Sequence, residues 1–123
     1  MGNHPVNLAL RFVLELIAFF FPGFWIWKTL TEWYKYPLMI LVPILVAAVW
    51  GVFAVPNDPS RSGRTVIAVP GIPRLIIEFL VFALGIFSIL LSGYRSIAWI
   101  FAIITLLHYI ISYDRIMWLL KQK

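Results

Sequence analysis

No cysteine occurs in the 123 residues, five residues are acidic and two are histidine. Without a thiol there is no disulfide framework, no thiolate metal site and no cysteine nucleophile. Two histidines, His4 and His108, are too few for a nitrogen-rich metal site. Charge of either sign is scarce: 12% of the residues are Asp, Glu, Lys or Arg, against about 25% in ordinary globular chains. A glycine-rich phosphate loop, a serine elbow and a zinc-binding helix motif are all missing. An enzyme built here would have only Glu, His and Tyr to work with, so the expectation is no catalytic residue, no metal and no cofactor.

What fills the chain is apolar, at 63%. A fold this small has no interior large enough to hide that surface from water. Four spans of about 20 residues would use roughly 80 positions and leave about 40 for connections and ends. The sequence therefore reads as an all-α integral membrane protein, one domain over residues 1–123. The net charge of +5 does not indicate nucleic acid, because the basic residues stand singly between apolar runs. They read as topology signals and partners of lipid headgroups.

Four transmembrane helices are expected, over about 8–27, 38–55, 73–92 and 96–120. The first is too long for the core of a signal peptide, contains Arg11 and Glu15, and is followed by aromatics where a cleavage site would lie. The second carries Pro43 one turn inside and stops at Pro56-Asn57-Asp58-Pro59, where Asp58 reads as a turn former serving the backbone. Between spans two and three lies a loop, 56–72. Its apolar run Thr65-Val66-Ile67-Ala68-Val69 is too short to span and would lie at the interface, fold back, or pair as a short strand. Pro73 suits a helix start and Gly93 a helix end, and the short turn after it makes spans three and four a tight hairpin.

Four crossings put both termini and the middle loop on one side. That side holds seven basic residues, Arg11, Arg61, Arg64, Arg74, Arg115, Lys121 and Lys123, against three on the other, Lys28, Lys35 and Arg95. The excess predicts cytoplasmic termini. Arg61, Arg64, Arg115, Lys121 and Lys123 are then candidate contacts for inner-leaflet headgroups, with Asp114 and Arg115 as an interfacial pair. Trp33, Tyr34, Tyr36, Tyr94 and Trp99 fall in the outer aromatic belt and Trp118 near the inner one.

A pattern recurs at a shift of 63 positions: Arg11-Phe12-Val13-Leu14-Glu15 matches Arg74-Leu75-Ile76-Ile77-Glu78, and Phe19 matches Phe82. Two repeated helical hairpins would produce it. At about 100° per residue, His4, Asn7, Arg11, Glu15, Ala18 and Pro22 share one face of span one and its leader. Arg74, Glu78, Val81, Gly85, Ser88 and Ser92 share a face of span three, and Thr105, His108, Ser112 and Arg115 a face of span four. Stripes of small and polar residues mark helices packed on protein.

Energy directs these groups inward. A charge at mid-membrane costs roughly 2.5–3.5 kcal/mol on insertion scales. Arg11 and Arg74 lie near enough to the interface to snorkel. Glu15 and Glu78 lie about 6 Å deeper and need partners or protonation. The partners on offer are the Arg one turn back, a crossed Glu15–Arg74 and Glu78–Arg11 pairing, and His108, Tyr109 and Ser112 from span four. Such a network either locks the helices in one packing or exchanges a proton or cation in a water-accessible cavity.

Asn7-Leu8-Ala9-Leu10-Arg11-Phe12-Val13-Leu14-Glu15-Leu16, Ala47-Ala48-Val49-Trp50-Gly51-Val52-Phe53 with Pro56, and Pro73-Arg74-Leu75-Ile76-Ile77-Glu78-Phe79-Leu80-Val81-Phe82 together resemble the YrdB-like family of small bacterial membrane proteins. The resemblance is clearest in spans one to three. It implies four helices and a bacterial cytoplasmic (inner) membrane, brings no activity, and marks Arg11, Glu15, Trp50, Gly51, Arg74 and Glu78 as family-like positions. Two functions follow as expectations. One is an accessory or scaffold subunit docked on a larger membrane partner, with a structural polar network. The other is a small homo-oligomeric transporter in which Glu15 and Glu78 bind a proton or cation.

Overall fold

A computed structural model of the chain describes residues 4–58 and 65–122. The first helix, α1 (Pro5–Thr29), begins where His4 Nδ1 accepts the backbone N–H of Val6 and Pro5 supplies a preset first residue. Pro22 and Gly23 lie inside α1, and this is where α1 meets α2 (Lys35–Val52). A Cβ on Gly23 would collide with the Met39 carbonyl and stand 2.7 Å from Pro43 Cγ, so the glycine permits the close approach. Pro43 sits inside α2, on the helix that buries least of itself.

The second span ends earlier than expected. Phe53 and Ala54 leave the helix as a strand, β1 (Phe53–Ala54), ahead of the turn at Pro56. The apolar run after residue 64 takes the strand alternative, with this chain as its own partner. β2 (Ile67–Ala68) pairs parallel with β1 in the register Phe53↔Ile67 and Ala54↔Ala68, and the Val69 N–H donates to the Ala54 carbonyl at 2.9 Å.

Helix α3 (Gly71–Leu91) runs parallel to α1. Arg11 is level with Glu78, and Ala18 with Gly85, where a Cβ would come within 2.9 Å of Ala18 Cα. The contact register is thus one helical turn away from the 63-residue shift of the sequence match. Gly93, at φ 95°, adopts the left-handed conformation that turns the chain into α4 (Arg95–Ile111).

The fourth span is corrected most. It is two helices, α4 and α5 (Tyr113–Leu120), bent by 67° at Ser112. No proline or glycine marks the break. The bend brings α5 back against the start of α3, where the Gly71 N–H donates to the Gln122 carbonyl at 3.0 Å. A side chain at Gly71 would run into the Leu119 carbonyl.

The start of α1, the end of α2, the start of α3 and all of α5 therefore gather at one end. At the other end Lys28 Nζ donates to the Ser92 carbonyl, and Phe24 meets Tyr94 at 6.0 Å between ring centroids. Three helices are long and apolar enough to cross a membrane, or four if the bent α4–α5 pair counts as one broken span. Leu14, Ala18, Trp50, Phe82, Ile89 and Phe101 form the shared apolar core, and large side chains such as Ile40, Phe87 and Leu106 cover the outside.

Candidate functional site

The polar stripes of α1, α3 and α4 point at one another below that core. At their centre is Glu78, on α3, with no exposed surface at all. Its Oε1 accepts from Tyr109 Oη and Arg115 Nη1, both at 2.8 Å, and pairs with Arg11 Nη2 at 3.1 Å. Its Oε2 accepts from Arg74 Nε at 2.9 Å and Arg115 Nη2 at 2.8 Å. The Arg115 fork is bidentate, the geometry in which guanidinium and carboxylate pair most strongly. An ionised carboxylate offers about four lone-pair sites, so Glu78 is fully occupied.

Two further carboxylates complete the cluster. Glu15 pairs with Arg11 Nε at 3.2 Å. Asp58 accepts from Arg115 Nη2 at 2.8 Å. Among the described residues, three arginines, Arg11, Arg74 and Arg115, face three carboxylates, Glu15, Glu78 and Asp58. Trp50 supplies an apolar wall: the guanidinium carbons of Arg11 and Arg74 lie 5.2 and 4.6 Å from its ring centroid, within cation–π range. Arg74 also caps α2, its Nη1 donating to the Trp50 carbonyl and, at 2.7 Å, to that of Phe53. Those carbonyls at a helix end have no partner in the helix and carry its negative pole.

Beside the charges lies a neutral trio. Asn7 Nδ2 donates to Ser112 Oγ at 2.7 Å, and Asn7 Oδ1 lies 3.0 Å from His108 Nδ1. The serines of the α3 stripe bond within their own helix. Ser88 and Ser92 donate to the carbonyls of Leu84 and Ser88, one turn back in their own helix.

Arg11, Glu15, Arg74, Glu78, His108, Tyr109 and Ser112 thus lie in one connected polar region. Arg11 and Arg74 are 5% and 2% exposed, directed into protein and not snorkelling. Of the crossed pairings, Glu78–Arg11 forms alongside both in-helix pairs. Arg115 corrects the headgroup expectation: it is 5% exposed and joins Glu78 to Asp58. The bend at Ser112 is the reason, since it turns α5 inward. Asp58 is corrected with it, because its side chain serves Arg115 beyond any service to its turn. Lys121 is exposed at the end of α5. Arg61, Arg64 and Lys123 lie outside the described residues.

Asn7 and Asp58 belong to the site and were not among its expected members. Asn7 could have been found from its place on the Arg11 stripe. Nothing local announces Asp58, which reaches the cluster only through the turn at Asn57, a residue in the left-handed region at φ 65°. Among the described residues, no group of three His, Asp or Glu side chains is arranged to hold a metal ion.

Residues 9–106 match the family described as Protein of unknown function (DUF2568). Over 119 residues, 97% of each chain, the sequence is 48% identical to the uncharacterized protein YrdB of Bacillus subtilis (strain 168). No solved structure matches.

Proposed function

The chain belongs to the DUF2568 family, whose function is unknown, and from that premise we propose that it is a non-catalytic, multi-pass protein of the bacterial cytoplasmic membrane. In this reading it is an accessory or scaffold subunit of a larger membrane assembly. The observation that carries the proposal is the saturation of Glu78. A carboxylate that loads and releases a proton or cation must give up partners and meet water. Glu78 has no exposed surface, and its lone pairs are taken by side chains from α1, α3, α4 and α5. Such a centre ties helices together, and it supports a structural role for the network.

The alternative, proton- or cation-coupled transport by a homo-oligomer through Glu15 and Glu78, would fall to Glu15, whose side chain is 17% exposed. Extraction into native nanodiscs followed by mass measurement of the intact complex tests the choice. A stoichiometric larger membrane partner is the expected result. A self-contained oligomer that moves cations under a pH gradient in proteoliposomes would overturn it.

A further inference from the structure

Among the described residues, three buried polar atoms have no hydrogen-bond partner: Nη1 of Arg11, Nε2 of His108 and Oγ1 of Thr105. Arg11 lies on α1, and Thr105 and His108 lie one turn apart on α4. The two helices are antiparallel, with Asn7 against His108 at one end and Phe24 against Tyr94 at the other. One turn on from Asn7, Arg11 is therefore level with the turn of α4 that carries Thr105, one turn from His108.

Hydrogen-bond accounting fixes what each atom offers. The Asn7 amide nitrogen donates to Ser112, so its oxygen is the acceptor, and His108 Nδ1 must carry the proton in their contact. In the neutral ring Nε2 is then a bare acceptor. Arg11 Nη1 is a donor only, and Thr105 is both. A buried donor and a buried acceptor left unmade are expensive.

We propose that one internal water molecule links Arg11 Nη1 to His108 Nε2, accepting from the first, donating to the second and taking the Thr105 hydroxyl as a third partner. About three hydrogen bonds is what a buried water ordinarily makes. The atoms on offer select this guest. An anion would meet a lone pair at Nε2. A cation would face Arg11. The water adds a second polar link between α1 and α4 beside the Asn7–His108 bond.

Only two histidines are present, and His4 acts as a helix cap, so His4→Ser keeps a capping oxygen and leaves His108 as the single imidazole. Nitrogen-15 NMR of the full-length variant in lipid nanodiscs at neutral pH reads the site directly. The expected result is a protonated Nδ1, an Nε2 with a hydrogen-bonded lone pair, and a ring-to-water cross-peak unchanged when chloride is replaced by gluconate. A proton on Nε2, the absence of the water cross-peak, or a chloride-dependent Nε2 signal would each overturn the proposal.

Discussion

Taking an ion out of water costs several kcal/mol even after the protein relaxes, and a buried pair repays this only when its geometry is good and its spare valences are met. Glu78 meets both conditions through three arginines and a tyrosine, so each of its partners should count. Tyr109→Phe removes one neutral donor to a charged acceptor and is expected to lower the unfolding free energy by about 1.5–3 kcal/mol in mixed micelles. Glu15→Gln should cost less than Glu78→Gln in the same measurement, because Glu15 pairs with one arginine and its side chain is 17% exposed. The contrast separates two carboxylates that the sequence presents as equivalents. Their Arg-Glu spacing is identical and readable, but their surroundings are set by a helix register that no local pattern encodes. Arg115 shows the same limit: a straight fourth helix would carry it to the headgroups, and the unmarked break at Ser112 carries it to Glu78.

Between elements, glycine decides how closely helices approach. Gly85 meets the backbone of Ala18, so Gly85→Ala must push α1 from α3, at an expected cost of about 1–3 kcal/mol. Gly51 has open space where its Cβ would stand, and Gly51→Ala should be neutral or slightly stabilising in the same unfolding measurement. This contact explains the register, because small residues at 18 and 85 bring Arg11 level with Glu78 and leave Arg74 free to cap α2. Helix existence was legible from apolar run length and, for α3, from the proline at 73, and the stripes of α3 and α4 are buried along their whole length. The strand pair was legible only as one alternative of three, since two-residue strands are fixed by their distant partner and carry no periodicity of their own.

For the whole molecule, the α1 start, the α3 start and α5 gather at one end. The native chain has no cysteine, so single cysteines at His4, Glu32, Arg95 and Lys121 report sidedness without background. Under the positive-inside rule, probes at 4 and 121 should be labelled only from the cytoplasm and those at 32 and 95 only from outside. The central claim is that the Glu78 cluster holds the helices together and transports nothing. Its most direct measurement is the unfolding free energy of Glu78→Gln beside the native chain, with cation uptake followed in the same preparations. The account predicts a loss of about 3–5 kcal/mol, as for other buried pairs deprived of one partner, and no uptake in either protein. Unchanged stability together with loss of a pH-driven flux that the native chain possesses would contradict it.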